Sequence, residues 1–489
     1  MAQNRKHIHV HATPDRFPIT GKHRIVRGDG CINCGKCIEL CVYGVHYRDL
    51  DDVRRMAKPD FDKCMNCFAC VQDCTARVLS MDLNPAFTEL GDALYPPEQI
   101  TSIMRQAATG TIPVFGAGYG GAFAGSGFDG MWTDMSEIVR PTRDGIHGRE
   151  TISTTIDLGR HPVDLSDVRF DDEGYPLTRV PATIEIRLPV LLNRMPFAPA
   201  TTAVGDAVCR AAETIGTLAI VDTSTRLDWG AGPRRSVVVH VDRDHLDRAS
   251  LTAVAQQAAG VQLAAGEETL PALLALQEEQ PHAFVFAEVE VAPGFEDTIE
   301  QLAAAGADVL HLTAPPYASG LDPVDRGLPE AIAAAHGRLV EAAIRDQTTL
   351  IASGGITSAE HVAKAIILGA DAVAVDLPAL IALECTLCKD CARGEVCPRD
   401  LETIDPEWGA RRIVNLLASW RNQLLEVLGA MGLRDVARLR GETGRAIFRD
   451  DLERTIFEPI FGGEAGASRS SATAHISATH VPLQNGEAA

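Results

Sequence analysis

LIASGGITSAEHVAKAIILGADAVAV, residues 350–375, holds a strand, a glycine pair, a helix, a turn and a second strand. The run LIAS is short and apolar, and Gly354 and Gly355 break it. SAEHVAKAIILG then sets apolar residues at helical spacing. Gly369-Ala370-Asp371 turns the chain into the apolar run AVAV. Strand, helix and parallel strand form the repeating unit of an α/β fold. The same alternation recurs upstream. Strand patterns fall at 194–197, 218–222, 237–241, 261–264, 284–291, 309–312, 349–352 and 372–375, with Ala-rich helical runs such as FEDTIEQLAAAG between them. Eight strands alternating with helices predict a compact (β/α)8 TIM-type barrel over 186–384.

By this count the quoted strands are the seventh and eighth, and the loops after those strands are where such barrels hold a phosphate. Glycine lets the backbone approach an anion, and a helix start supplies N–H donors. Gly354, Gly355 and Thr357 are therefore candidate binding residues; the competing reading is a tight turn with no ligand. Asp222 and His311 end strand patterns two and six, at the face where barrel chemistry resides. Glu288 and Glu290 share a strand face with Phe284 and Phe286. If that face points inward, two enclosed carboxylates with raised pKa values are expected. They are candidate acid/base groups, or a site for a cationic substrate. The competing reading places them at the solvent rim.

The chain has 13 cysteines. Cys31, Cys34, Cys37 and Cys41 form one C-x2-C-x2-C-x3-C run; Cys64, Cys67, Cys70 and Cys74 form a second. This spacing resembles bacterial two-cluster ferredoxins, in which three thiolates of a run hold one [4Fe–4S] cube and the fourth holds the other. Val42 and Thr75 follow the runs, where such ferredoxins usually have proline. Cys385, Cys388, Cys391 and Cys397 make a third group, suited to an iron–sulfur cluster or to tetrahedral zinc. Cys209, in an apolar helical pattern, reads as a buried inert thiol.

The formal charge of −21 opposes a nucleic-acid or anionic-membrane partner. No apolar run is long enough for a membrane span, and the first residues have no signal-like apolar core, so a cytoplasmic protein is expected. The expected organisation is a flexible arm (1–25), with histidines at 7, 9 and 11, and a two-[4Fe–4S] domain (26–85). A Gly/Pro-rich wrapping segment (86–185), the barrel (186–384) and the third cluster loop (385–398) follow. C-terminal helices (399–461) and a disordered Gly/Ala/Ser-rich tail (462–489) complete it. Gly116-Ala-Gly118-Tyr-Gly-Gly121 matches a dinucleotide-binding pattern, but no helix start follows it.

From residue 99 to about 440 the sequence resembles the FMN-binding synthase domain of glutamate synthase, closest to the archaeal-type large subunit. The residues that carry the resemblance are DQTTLIASGGITSAEHVAKAIILGADAVAVDLPALIALECTLCKDCARGEVCP, GLPEAIAAAHGRLVEAAIRD and NLLASWRNQLLEVLGAMGLRDVARLRG. The resemblance implies FMN at the barrel face, with Gly354, Gly355, Thr357, Ala374 and Asp376 near its phosphate. It also implies a cluster beside the flavin. The family holds a [3Fe–4S] cluster by three cysteines; Cys388 is an extra thiolate here and would permit a [4Fe–4S] cube.

The chain departs from the family at several points. Ala374 and Asp376 stand where the family has glycines, and Glu288 stands near the family's flavin-side lysine. LTAPPYASGLDP replaces a glycine-rich stretch, and the long insertion before strand five is absent. The expected function is an iron–sulfur, FMN-dependent oxidoreductase subunit of glutamate synthase type, passing electrons from the ferredoxin clusters through the third cluster to the flavin. The alternative is a non-catalytic electron-transfer or scaffold subunit whose barrel has lost FMN. Neither a glutaminase cysteine nor a convincing NAD(P)H motif is present. A flavin or NAD(P)H reductase subunit and an amidotransferase subunit are therefore the expected partners in a hetero-oligomer.

Overall fold

The computed structural model describes residues 8–112, 127–134, 152–161, 170–174, 183–196, 202–223, 234–246, 248–314, 327–457 and 459. The glycine pattern at 116–121, most of LTAPPYASGLDP and the C-terminal tail lie outside them.

Eight parallel strands close into a barrel: Val190–Leu192, Ala219–Asp222, Arg234–Val241, Ala258–Leu263, Val285–Glu290, Val309–Thr313, Thr349–Ser353 and Ala372–Val375. The last strand pairs back onto the first, with Val373 opposite Val190 and Val375 opposite Leu192. Strands buried on both faces read as continuous apolar runs, and these do. Val237, Val238, Val309, Leu310, Leu350 and Ile351 are fully buried. The first strand lies at 190–192 rather than 194–197. Val190, Leu191 and Leu192 are wholly apolar and pair with both neighbours, whereas Arg194 carries a charge that folds over the barrel mouth.

Around the barrel, the helix Thr202–Ile215 packs on the long helix Pro406–Ala430. The helix Pro97–Thr109 lies against both Pro406–Ala430 and the short helix Leu377–Ala382. Its face of Ile100, Ile103, Met104 and Ala107 joins the barrel core.

A second, small core is built from Ile25, Val45, Cys64, Cys70 and Leu79. It sits under an antiparallel pair, His23–Arg27 with Leu79–Leu83. With so few apolar residues, this unit has little core of its own. The N-terminal arm is not a free appendage from residue 8 onward. Trp408 Nε1 donates to the Pro14 carbonyl, Arg412 grips Asp15, and the Arg16 amide donates to Glu384. An arm with polar partners along its backbone stays docked. Among the described residues, no helix is long and apolar enough to cross a membrane.

Candidate iron–sulfur sites and barrel mouth

The twelve clustered cysteines fall into three groups. Cys31, Cys34 and Cys37 surround one small cavity together with Cys74. Cys64, Cys67 and Cys70 surround another together with Cys41. Each run thus sends its fourth cysteine to the other cavity. The loops achieve this with left-handed residues on both sides of the middle cysteine: Asn33 and Gly35 flank Cys34, and Asn66 and Phe68 flank Cys67. This winds the chain tightly and turns backbone N–H groups toward sulfur. The Cys34 thiol is lowered by the Lys36 amide and the Thr75 hydroxyl.

Leu387 and Lys389, also left-handed, flank Cys388 in the same way. The third loop therefore repeats the backbone signature of the first two at the same C-x2-C-x2-C spacing. Burial is the largest influence on Cys385 and pushes its thiol up to about 12; Cys388, Cys397 and Cys391 add to it, while the Leu387 amide opposes. Burial likewise takes Cys70 up to about 11, with Cys64, Cys41, Cys67 and Cys37 contributing. Thiols packed so that each raises its neighbours favour a shared cation.

Iron–sulfur cubes fit these groups better than zinc. Tetrahedral zinc with bonds of about 2.3 Å brings its sulfurs to within about 3.8 Å of one another. Among the described residues, the groups of three candidate ligand atoms within 4.8 Å contain no cysteine. The thiols of each group stand farther apart than one zinc ion would hold them.

At the C-terminal face of the barrel a cavity of about 800 Å³ opens. Its floor holds a charged network. Arg194 reaches Asp222 and Glu288, each at 3.2 Å. His240 Nε2 meets Glu288 Oε2 at 2.9 Å. Deeper, His311 is fully buried, bridging Gln262 and Ser353 at 2.9 Å each.

Glu288 does point inward, but its carboxyl moves opposite to the expectation. Burial raises it, yet the His240 hydrogen bond and the charges of His311, Arg194 and His240 outweigh burial and take it down to about 2. Burial lowers His311 to about 4, so its imidazole is neutral at pH 7. Glu290 lies exposed at the rim, 4.0 Å from Arg243. The structure therefore brings Glu288, His311 and Asp222 together and leaves Glu290 apart. Sequence reasoning missed Arg194 and His240; a histidine ending the apolar run SVVVHV was the available signal.

The strand-seven loop is held from behind. Gln99 Nε2 donates to the Thr357 carbonyl at 2.7 Å, and the Tyr95 hydroxyl donates to that of Ile356 at 3.3 Å. The Thr357 amide faces His361 Nδ1 at 3.2 Å. Gly354 and Gly355 are both left-handed. A Cβ on Gly354 would lie 2.4 Å from the Ala314 carbonyl oxygen, whereas one on Gly355 would meet nothing within 4 Å. Gly354→Ala should accordingly cost about 2–3 kcal/mol and Gly355→Ala about 1 kcal/mol, read from urea midpoints.

Ala374 is buried in strand eight, opposite Ser353 and Leu191. Asp376 caps the helix Leu377–Ala382 by accepting from the Leu377 amide. Burial pushes its carboxyl up to about 6. Gly355 has open space on its Cβ side, and Asp376 stands at the start of the helix after strand eight. When ionised, Asp376 is itself the anion at that helix start.

Comparison with known proteins follows the same lines. The model of the conserved region in glutamate synthase matches residues 317–434. The archaeal-type glutamate synthase [NADPH] of Dehalococcoides mccartyi is 29% identical over 469 residues, covering 84% of this chain and 92% of its own. The archaeal glutamate synthase [NADPH] of Archaeoglobus fulgidus is 26% identical, covering 94% and 99%. The chain is a glutamate synthase-related protein. Among solved structures, mandelate oxidase is similar at 18% identity and a TM-score of 0.37, covering 60% of this chain and 88% of that one. In this glutamate synthase-related chain the matched region contains strand seven, strand eight and the whole third cysteine loop.

Proposed function

We propose that this chain is the iron–sulfur subunit of a glutamate synthase-type oxidoreductase. Cys31, Cys34, Cys37 and Cys74 would hold one [4Fe–4S] cluster, and Cys41, Cys64, Cys67 and Cys70 a second. Cys385, Cys388, Cys391 and Cys397 would hold a third. The observation that carries the reading is the shared left-handed, Cys, left-handed signature at Cys34, Cys67 and Cys388. It supports four ligands, and hence a [4Fe–4S] cube, at the third site. Clusters of this kind supply one-electron carriers. The arrangement of the chain suits an inward path. Arg105, on the helix Pro97–Thr109, feels the charge of Cys64. The same helix packs on Leu377–Ala382, which leads directly into Cys385.

Replacing Cys388 with alanine should cost one iron per chain and bring up the electron-spin signal of a [3Fe–4S] cluster. An unchanged cluster would show that Cys388 is not a ligand.

FMN at the barrel mouth, held by Gly354, Gly355 and Thr357 and gated by Asp376, would supply two-electron chemistry toward a small organic substrate. Glu288, clamped by Arg194 and His240, would orient polar groups over the flavin. Six carboxylates line this mouth against two arginines: Asp222, Asp242, Asp244, Glu288, Glu290 and Asp376 face Arg194 and Arg243. That balance disfavours free 2-oxoglutarate and favours a cationic or metal-bound substrate. Separate reductase and amidotransferase subunits would complete the enzyme. The second reading, a flavin-free electron-transfer subunit, is favoured by Asp376 in its ionised form.

Acid extraction of the purified protein, assayed for FMN alongside iron and sulfide, separates the two readings. Bound flavin supports the oxidoreductase; its absence with iron for three clusters supports the carrier. If flavin binds, its retention follows Asp376. The carboxyl is neutral below its value of about 6 and charged above it. Retention should therefore fall as pH rises through 6. Repulsion between neighbouring like charges of roughly 1–4 kcal/mol makes this loss about fivefold or more. Asp376→Asn should flatten the profile in a flavin-release titration.

A further inference from the structure

His240 is only 2% exposed, and its Nδ1 has no hydrogen-bond partner. That nitrogen faces two carboxylates, with Asp222 Oδ1 at 3.5 Å and Asp242 Oδ1 at 3.4 Å. Asp222, His240 and Asp242 offer ligand atoms that all lie within 4.8 Å of one another. On the far side of the ring, Nε2 meets Glu288 Oε2 at 2.9 Å. An ionised carboxylate can only accept, so Nε2 carries a proton; a cation bound at Nδ1 would take the place of the second ring proton that the neighbouring aspartates favour.

We propose that Asp222, His240 and Asp242 form a divalent-cation site at the barrel mouth, with Glu288 as the carboxylate that orients the histidine. Two ligands about 2.1 Å from one ion at a tetrahedral angle stand about 3.4 Å apart, which matches the spacing around Nδ1. One imidazole and two carboxylates suit Zn²⁺, and three protein ligands leave a fourth position open. A carboxylate–histidine–metal relay is the usual way to fix a ligating imidazole, and Glu288 supplies it. Arg194 is the opposing group. Its guanidinium lies 3.2 Å from Asp222 Oδ1, so it competes with a cation for that oxygen. The site stands whether or not a flavin binds next to it.

The test adds Zn²⁺ alone to the cluster-loaded protein and follows free zinc and released iron together. One zinc per chain is expected, with no loss of iron. Asp242→Asn, at a half-exposed position that does not threaten the fold, should weaken binding at least tenfold. Asp244→Asn, a neighbouring acid of the same mouth, should leave it within about twofold. Arg194→Ala should tighten it by removing the competing charge. Three results would overturn the proposal: no saturable uptake, equal losses in Asp242→Asn and Asp244→Asn, or zinc uptake matched by iron release.

Discussion

Cys41→Ser is expected to destroy the cluster bound by Cys64, Cys67 and Cys70, and to spare the one bound by the three other cysteines of its own run. The reason is the crossing of fourth ligands. Cys41 lines the cavity of the second run, and Cys74 that of the first. Serine removes a thiolate at a half-buried position next to Cys64 and Cys70, which are both buried. Three cysteines in that environment cannot hold a complete cube against oxidation or solvent. The measurable outcome is a loss of about one-third of the iron in a three-cluster protein, together with one of two low-potential electron-spin signals. Cys74→Ser should remove the other signal. If Cys41→Ser and Cys37→Ser removed the same cluster, the crossing would be wrong. A structural consequence follows too. Cys64 and Cys70 belong to the five-residue core beneath the strand pair. Loss of their cluster should loosen the whole N-terminal unit, and proteolysis between Arg54 and Lys63 should accelerate.

The parts of this molecule legible from its sequence are those set by short-range periodicity. The clustered cysteines recur every three residues, so one turn of chain gathers them. Barrel strands two to eight show as apolar runs between helical patterns, because parallel strands buried on both faces need unbroken Val, Ile and Leu. The barrel mouth is different. Arg194 lies 94 residues from Glu288, and His240 lies 48 residues from it. No local pattern links them; only closure of the barrel does. That is why the direction of the Glu288 shift reverses. Two carboxylates alone in a barrel would raise each other, but Glu290 turns to the rim and Glu288 meets an arginine and a histidine instead. The docking of the arm is hidden from the sequence for a related reason. Residues 8–16 are polar and look mobile, yet their partners are Asn415, Trp408, Arg412 and Glu384, some four hundred residues later.

Arg412→Leu should be the most destabilising single change outside the barrel strands, by on the order of 3–5 kcal/mol. Arg412 is completely buried. Its Nε donates to the Ala382 carbonyl at 2.6 Å, Nη1 reaches Asp15 at 2.7 Å, and Nη2 reaches the Met104 carbonyl at 3.2 Å. One guanidinium thus ties together the arm, the helix Pro97–Thr109 and the helix end that leads into Cys385. Glu384 lies 3.7 Å away, only 2% exposed, with Arg16 as its other partner. Leucine leaves the buried Ala382 and Met104 carbonyls and the Asp15 carboxylate without this donor and Glu384 with Arg16 alone, and the desolvation of the buried groups dominates the loss. Lysine cannot present the same fork of donors, so Arg412→Lys should recover little. Glu384 also holds a left-handed φ of 74°, a conformation that glycine adopts without strain. Glu384→Gly combined with Arg412→Leu should therefore lose less than the sum of the two single changes. The excess read from urea unfolding is the coupling energy of the pair. The same variants report on the third cluster, since Glu384 immediately precedes Cys385. A shift in its electron-spin signal at unchanged iron content would tie the arm to the environment of that cluster, and an unaltered signal would confine Arg412 to holding the fold.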